Sequence, residues 1–218
     1  MLLLRQPTGR AYSAFQHHCR KGRFYSGRDG PIFSLEADPA AYAGRKRLAA
    51  PCAAKAFEAF LGESGAPLRE SRIVTWGRYA DQLETAASLG FAGPRTLVIF
   101  SETALLDGSA LLAFVVRWLG LKAFDFSSLP TFRDSAGRET LREPGPLGAA
   151  KAFYAAHNFV AAARHAAPPL GDETRARLDA YYERPNADLE AYLAAAGRDV
   201  AVYPPRKPGR RLLPASWS

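Results

Sequence analysis

Two short apolar runs, each followed by a segment with helical periodicity, constrain the fold of this sequence more than any other feature. The first run is residues 1–4, Met-Leu-Leu-Leu, and a helical stretch from about residue 9 to residue 21 follows it. The second is Thr96–Phe100, and a helix capped by Asp107 or Ser109 follows it. Apolar runs that alternate with helices are typical of the buried strands of a parallel sheet. The sequence therefore predicts an α/β fold with a central parallel sheet.

The rest of the chain is predicted to be mainly helical, with one long loop. Residues 22–50 are rich in Gly, Pro, Asp and charge, which favours a loop with short helical pieces and argues against strands. After residue 196 a Pro- and Arg-rich segment shows no periodicity, so we predict one domain over residues 1–196 and a basic tail over 197–218. Helices are predicted at about residues 52–61, 78–90, 149–165, 172–183 and 186–196.

The net positive charge is concentrated near the two ends of the chain. The formal net charge is +8, from 29 basic and 21 acidic residues. Residues 1–30 hold six basic residues against one acidic residue, and residues 206–211 add four basic residues. Concentrated Arg suits an anionic ligand because the guanidinium fork matches phosphate and sulfate oxygens. A solvated surface or a biased genome composition explains the same excess without a ligand, so charge alone leaves both interpretations open.

Cysteine content and hydropathy leave the cellular compartment open. Cys19 and Cys52 are two thiols, compatible either with one disulfide in a secretory compartment or with two free cysteines. No apolar stretch approaches the ~20 residues needed to cross a bilayer, and the Leu2–Leu4 run is too short for the core of a signal peptide. We therefore expect no membrane segment in this sequence.

The most informative segment is the junction of the first strand and helix, residues 4–13, which read Leu-Arg-Gln-Pro-Thr-Gly-Arg-Ala-Tyr-Ser. Arg5 leaves the strand and Ser13 lies on the first turns of the helix. A helix N-terminus offers unpaired N–H groups and partial positive charge, so both side chains can face one anion there. Arg10, Ser13 and His17 share a helix face at i, i+3 and i+7. An Arg after a strand is also commonly a surface charge, so these residues alone give only a hypothesis.

This segment resembles the 3′-phosphate motif of sulfotransferases that use 3′-phosphoadenosine 5′-phosphosulfate (PAPS). That motif typically reads Arg-Asp-Pro-x-Glu-Arg-Ala-x-Ser, and its leading Arg and the Ser eight positions later bind the 3′-phosphate. Arg5 and Ser13 keep this offset. The resemblance implies that both side chains bind PAPS or its product PAP.

Four further segments resemble the same family, especially the heparan sulfate and other carbohydrate sulfotransferases, and they follow in consistent order as far as residue 196. Each motif is weak alone, and the order and spacing of the set carry the resemblance. The segments are Gly77-Arg78-Tyr79 with Leu83, Leu97–Glu102 with Leu105 and Asp107, Trp118-Leu119-Gly120-Leu121, and Thr174-Arg175 with Leu178, Tyr181-Tyr182, Pro185-Asn186 and Leu189.

The resemblance implies a P-loop-like sulfotransferase fold that lacks its first strand and phosphosulfate loop. The family begins with a strand and a Lys-x-Gly-Thr-Thr type loop, followed by a catalytic Glu or His, and none of these occurs in this sequence. We therefore expect a partial, N-terminally truncated sulfotransferase domain that is inactive alone. The full enzyme would transfer a sulfuryl group from PAPS to a hydroxyl or amine, most often on a carbohydrate. Carbohydrate-type relatives usually lie in the Golgi membrane.

Some residues depart from the family pattern. Gln6 replaces the usual Asp and Gly9 replaces the usual Glu, which affects local pairing around Arg10. A third donor-binding element has no clean counterpart, and Arg164 is the candidate nearest the expected place. The catalytic residue is unknown, and no metal is expected as a cofactor.

Two alternatives stay open at this stage. A basic nucleic-acid-binding module is suggested by pI ≈ 9.7 and by aromatic residues interleaved with basic ones, although it does not explain the motif order. A non-catalytic sulfotransferase relic is the second alternative. A metal site at His17-His18-Cys19 is disfavoured because adjacent helical residues point about 100° apart. The interleaved residues are Phe15, Phe24 and Tyr25 with Arg20, Lys21 and Arg23.

Overall fold

The computed structural model of the chain describes most of its residues. These residues fall in two units, Met1–Leu106 with Ala167–Ser218 and Asp107–Ala166. The described ranges are 1–48, 52–62, 64–91, 96–104, 108–126, 131–133, 139–141, 168–197, 199–205, 213–214 and 217.

The described residues form strands and helices in both units. In the first unit the elements are β1 (Leu2–Leu4), α1 (Pro7–Arg20), β2 (Phe24–Tyr25), β3 (Ile32–Phe33), α2 (Pro39–Tyr42), α3 (Ala54–Leu61), α4 (Arg72–Thr75), α5 (Tyr79–Ser88), β4 (Thr96–Phe100) and α6 (Ser101–Ala104). The second unit contributes α7 (Gly108–Trp118), β5 (Thr131–Arg133) and β6 (Glu139–Leu141), and the first unit resumes with α8 (Asp172–Ala195) and β7 (Val200–Tyr203).

A three-stranded parallel sheet in the order β1-β4-β7 lies at the centre of the first unit. Leu4 is paired with Phe100, and Ile99 is paired with Tyr203, so the carboxyl ends of the strands meet at one edge. All five residues of β4 are buried, as expected for a strand covered on both faces. The prediction of an α/β fold with a parallel sheet is confirmed.

Strand β7 was not predicted, because residues 197–218 were expected to be a tail without regular structure. Three of its four residues, Val-Ala-Val-Tyr, are buried, and the strand pairs along β4. The apolar run is only four residues long, and the Pro and Arg residues that follow it made the whole segment look irregular in the sequence. Burial against β4, a long-range contact, gives this segment its strand structure.

Two further predictions were wrong in detail. Residues 22–50 contain a short antiparallel hairpin, β2 with β3, where no strand was expected. Phe24 and Phe33 are paired in it and both are buried, so core packing stabilises strands in a polar segment. The two helices expected at 172–183 and 186–196 form one helix, α8, which continues through Pro185. Its buried residues recur every three or four positions on both sides of Pro185, and this packing offsets the hydrogen bond that proline lacks.

Two hydrophobic clusters in the first unit share α8. The cluster around the first half of α8 joins α1, the β2–β3 hairpin, α3 and α4, with Phe15, Phe57 and Phe60 fully buried. The cluster around its second half joins the sheet to α5 through Leu83, Leu189 and other residues. α8 therefore fixes the position of α1 relative to the sheet.

The second unit contains α7, which confirms the helix expected after β4. The helix ends before Gly120, whose φ of 69° is the left-handed conformation that favours glycine after a helix. Asp107, one of its two expected caps, and the helix expected at 149–165 lie outside the described residues.

Cys19 and Cys52 are joined as a disulfide with 6.2 Å between their Cα atoms, which is one of the two states that the sequence left open. Both residues are buried in the first cluster and link the end of α1 to the start of α3. Across the part of the chain that the structure describes, no helix combines the length and hydropathy needed to span a membrane.

Candidate anion-binding site

Arg5 lies at the edge where the parallel strands end. Leu4 pairs with Phe100, so Arg5 follows β1 where Ser101 follows β4. α1 begins two residues later at Pro7, and α6 begins at Ser101. Ligands of open α/β sheets commonly bind outside the carboxyl ends of the strands, where loops and helix N-termini converge.

Side chains from two other helices hold the peptide bond between Arg5 and Gln6. The hydroxyl of Tyr79 donates a 2.8 Å hydrogen bond to the carbonyl oxygen of Arg5. The backbone N–H of Gln6 donates a 2.7 Å hydrogen bond to Glu102 Oε1. Burial raises the pKa of Tyr79, so its hydroxyl stays protonated and can donate at neutral pH. Both polar groups of one peptide unit are therefore fixed, which limits the directions that the Arg5 side chain can take.

Gln6 caps the first turn of α1. Its side-chain oxygen accepts a 2.5 Å hydrogen bond from the N–H of Gly9, as an N-cap Asp would. A Cβ atom at Gly9 would lie 3.3 Å from this oxygen, a tight contact. The two departures from the family motif therefore fit one another, because the longer Gln6 side chain folds back over a position that Gly9 leaves open.

The Arg5 guanidinium lies over the same first turn. The Cβ position at Gly9 is 4.0 Å from both Nε and Nη2 of Arg5. Ser13 is exposed and lies one helical turn after Gly9, where Cβ atoms four residues apart are about 5–6 Å from each other. Helical side chains also lean toward the helix N-terminus, which carries the Ser13 hydroxyl toward Arg5. The structure thus brings Arg5 and Ser13 to one face of α1.

Arg10 does not join this face as a free cation. Its Nη2 donates a hydrogen bond to the carbonyl oxygen of Ile73, and its positive charge lies near the buried hydroxyls of Tyr79 and Tyr182. Burial raises the pKa of Tyr182, and the Arg10 charge partly opposes that rise. Arg10 therefore stabilises the packing of α1 against α4.

Two carboxylates lie at the same junction. Asp179 Oδ1 accepts hydrogen bonds from Gln6 Nε2 at 3.2 Å and from Thr8 Oγ1 at 2.5 Å, and Glu102 accepts from Gln6 as described. Their two negative charges balance those of Arg5 and Arg10. A phosphate at this site would therefore depend on the directed contacts of Arg5, rather than on a large local excess of positive charge.

Within the described part of the chain, the remaining candidates add no further group to the site. Arg164 lies outside the described residues. Among the residues that the structure describes, no group of three or more His, Cys, Asp or Glu side chains lies together in a way that could hold a metal ion. Cys19, which the sequence placed beside two histidines, is joined to Cys52.

The chain matches no protein-family model, and no curated protein matches it. The resemblance to sulfotransferases therefore rests on the residues of the sequence alone.

The aromatic residues that suggested a nucleic-acid-binding module are mostly inside the protein. Phe15 and Phe24 are fully buried, with centroids 4.6 Å apart in the first hydrophobic cluster. Base stacking needs an accessible ring face, which neither residue has. Of these three aromatic residues only Tyr25 is partly accessible. Phe15 and Phe24 therefore give no support to binding of a nucleic acid by base stacking.

A separate cleft of about 730 Å³ lies between the loop after β2, α3 and the start of α8. Its charged side chains are balanced, with three cationic and three anionic residues. Arg177 is held by the carbonyl oxygens of Gly62 and Ala66. The three carboxylates offset the three cations, so the charge of the cleft gives no reason to place a nucleotide there. The charged residues are Arg28, Lys55, Arg177, Asp29, Glu58 and Glu173.

Arg5 and Ser13 were proposed from the sequence, which did not predict the contacts that hold the Arg5–Gln6 peptide. Tyr79 and Glu102 both occur in segments that resemble the family, yet only the fold brings them to the Arg5–Gln6 peptide, from 74 and 96 residues away. Asp179 gave no signal in the sequence, because its role depends on where α8 crosses α1.

Proposed function

We propose that this chain is part of a PAPS-dependent sulfotransferase and that Arg5 and Ser13 bind the 3′-phosphate of the donor. The observation that carries the proposal is the Arg5 guanidinium folded over Gly9, with Ser13 one turn further along the same helix. A charged fork and a hydroxyl on one face of a helix suit a phosphate group. The offset of eight residues in the family motif is met by this geometry.

The reaction implied by the family resemblance moves a sulfuryl group from PAPS to a hydroxyl or amine, with a carbohydrate as the expected acceptor. The sulfur–oxygen bond to the 5′-phosphate breaks, a bond from sulfur to the acceptor forms, the acceptor proton passes to a base, and PAP leaves. The residues Arg5 and Ser13 would orient the nucleotide during this step. Because the sequence contains no Lys-x-Gly-Thr-Thr loop, we expect the 218-residue chain to bind PAP without transferring sulfate.

The test compares two nucleotides that differ only in the 3′-phosphate, PAP and adenosine 5′-monophosphate, by calorimetric or NMR titration. We expect the chain to prefer PAP. Arg5→Ala should weaken PAP binding by about tenfold or more, through the loss of a charge-assisted contact of roughly 1.5–3 kcal/mol. Ser13→Ala should weaken it by less. Neither change should alter the affinity for adenosine 5′-monophosphate.

The matched control is Arg175→Ala, which removes one exposed Arg from α8 and should leave the preference for PAP unchanged. A chain that binds the two nucleotides equally would contradict the proposal. So would unchanged selectivity in the Arg5→Ala, Ser13→Ala double variant. Sulfate transfer by the chain alone would contradict the expectation that it lacks the catalytic groups.

A further inference from the structure

The cleft beside the start of α8 is lined by charged side chains that form no ion pairs with one another. Its volume of about 730 Å³ falls within the roughly 300–1,000 Å³ that is usual for small-molecule sites. The ion pairs found within the described residues both involve Arg78, which does not line the cleft. The cleft therefore places charges of both signs around a space large enough for a small molecule.

The loop between β2 and β3 forms one wall of the cleft and carries Arg28 and Asp29. The backbone of this loop lies directly on α3. Gly30 has a φ of 113°, which favours glycine, and a Cβ atom there would lie 2.7 Å from the carbonyl oxygen of Ala59. Because no side chain fits between the two backbones, Arg28 and Asp29 are anchored at a fixed place beside the helix.

On the other two walls, some charged side chains are already engaged. A Cβ atom at Gly171 would lie 3.3 Å from Glu58 Oε1, so this carboxylate lies at the N-terminus of α8, where the helix dipole favours it. Glu173 accepts a hydrogen bond from the hydroxyl of Ser64. Lys55, by contrast, forms no ion pair with any described residue. Its ammonium group is therefore available to a ligand.

Thr174 adds an uncharged polar group to the cleft. The residue is only 4% exposed and lines the cleft. Its hydroxyl forms no hydrogen bond in the part of the chain that the structure describes, and its oxygen is not sealed from solvent, so it opens on the cleft. A buried hydroxyl without a partner costs free energy, and a polar ligand atom would remove that cost. Thr174 therefore points to a ligand with a polar atom at this place.

We propose that this cleft binds a small zwitterion, a free amino acid or a short peptide that carries one ammonium and one carboxylate group. Lys55 and Arg28 suit the carboxylate, and Asp29 suits the ammonium group. The Thr174 hydroxyl suits a polar atom between the two charged groups. A ligand with charges of one sign alone would bring them close to protein groups of the same sign, which disfavours binding.

The cleft is separate from the junction at which Arg5 lies. Asp179 contacts that junction through Gln6 and follows Thr174 by five residues on α8. Five residues advance about 7.5 Å along a helix and rotate by about 140° beyond a full turn, so the two side chains leave different sides of α8. The inference does not depend on the proposed donor site.

The test measures the binding of tripeptides by calorimetric or NMR titration. The ligands are trialanine with both ends free, its N-acetyl form, its C-terminal amide and the form that is blocked at both ends. Free alanine is the fifth ligand and distinguishes an amino acid from a peptide. We expect trialanine to bind more tightly than alanine, because the cleft is large enough for a longer ligand.

Three variants each remove one group from the cleft: Thr174→Val, Asp29→Asn and Lys55→Gln. Thr174→Val keeps the shape of the side chain, and the other two change exposed residues, so each is expected to fold. The matched control is Arg175→Gln, which changes the exposed neighbour of Thr174 outside the cleft. Melting curves establish that every variant is folded.

Each blocked end should weaken binding by about tenfold or more, because it removes one charge-assisted contact. Thr174→Val should weaken trialanine binding by about fivefold, the effect of one ordinary hydrogen bond. Asp29→Asn should weaken the binding of trialanine but not of its N-acetyl form. Lys55→Gln should weaken the binding of trialanine but not of its amide. Arg175→Gln should change none of these affinities by more than about twofold.

Tighter binding of alanine than of trialanine, with the same pattern among the variants, would support the inference with an amino acid as the ligand. Failure of both to bind would overturn it. So would equal binding of trialanine and its doubly blocked form, since the charged ends would then contribute nothing. If Asp29→Asn and Lys55→Gln affected free and blocked peptides alike, the assignment of these residues to the two ends would be wrong and the inference would fail.

Discussion

The backbone N–H of Gln6 donates a 2.7 Å hydrogen bond to Glu102 Oε1, which joins the residue after β1 to the first turn after β4. Tyr79 holds the other side of the same peptide unit through the Arg5 carbonyl oxygen. These contacts set the direction in which Arg5 leaves the sheet. Residues that contact no ligand can therefore control the proposed phosphate contact.

Glu102→Ala should loosen this peptide unit and lower the preference for PAP over adenosine 5′-monophosphate. The change leaves the Gln6 N–H without its acceptor, at a cost of about 1.5–3 kcal/mol in the free energy of unfolding. NMR hydrogen exchange of the Gln6 amide measures the local effect directly, and nucleotide titration measures the selectivity.

Conservative variants distinguish positioning from general stability. Glu102→Gln keeps an oxygen acceptor and should preserve slow exchange at Gln6. Tyr79→Phe should lower PAP selectivity, whereas Tyr12→Phe removes a comparable hydroxyl bond, to Pro168 O at 2.6 Å, away from the junction and should not. Equal loss of selectivity in the Tyr79 and Tyr12 variants would show that both act only through stability.

Gly77→Ala should destabilise the first unit by about 1–3 kcal/mol, because the added methyl group has no room. Its Cβ would lie 2.6 Å from Cε1 of Tyr182, a ring that is almost fully buried and is held by a 2.7 Å bond to the carbonyl oxygen of Val74. Urea unfolding measures the change. In a Tyr182→Leu background, where the ring is absent, the same substitution should cost clearly less, and an equal cost there would refute the explanation.

The sequence predicted the parts of the fold that depend on local pattern. The run Thr96–Phe100 is apolar throughout, and the helices on either side of it are periodic, so β4, α5 and α7 could be predicted from residues close in the chain. β7 has only four residues and becomes a strand through pairing with β4, about 100 residues earlier. The local pattern of apolar residues does not show which distant strand a short segment will pair with.

For the candidate site, the sequence indicated the local positions of its residues. Arg5 follows the first strand and Ser13 lies on the next helix, so their sequence spacing alone suggests that they could face one anion. Arg10 was placed on the same helix face as Ser13 by spacing as well, but the structure directs it to the Ile73 carbonyl oxygen. Which cation stays free at a helix surface depends on the neighbouring helix, and the position of α4 could not be inferred from residues 1–20.

His18 should make the protein less stable in mild acid. Its pKa is lowered to about 4 in the folded state from its usual 6.5, so the unfolded state binds more protons between these values. Stability from this group is complete above pH 6.5 and is lost as the pH falls toward 4. After allowance for solvent screening the loss is about 1 kcal/mol.

The control for this prediction is His18→Phe, which keeps an aromatic contact with Phe33 but cannot titrate. Urea midpoints at pH 7.0 and 4.5 should differ more in the unaltered protein than in the variant, since carboxylates contribute equally to both. An identical difference in the two proteins would assign the acid sensitivity to other groups.

We expect the chain to self-associate through the exposed edge of β1, and Leu3→Lys should reduce this association. β1 pairs with β4 on one side, and no other strand among the described residues pairs with its second edge. Leu3 is 64% exposed and Leu2 is 38% exposed on this strand. An apolar edge strand promotes pairing between chains, and a Lys on the edge opposes it.

Light scattering and melting curves at several protein concentrations test the edge directly. Leu3→Lys should lower the scattering and change the free energy of unfolding by no more than about 0.5 kcal/mol, because the side chain contributes little to the core. Leu4→Lys is the matched control: Leu4 is 6% exposed within the second hydrophobic cluster, so a charge there should destabilise the fold and increase aggregation. If the Leu3→Lys variant associates as strongly as the unaltered protein, the β1 edge does not cause the association. Other exposed apolar residues, such as Leu89 and Phe91, would then be the next candidates.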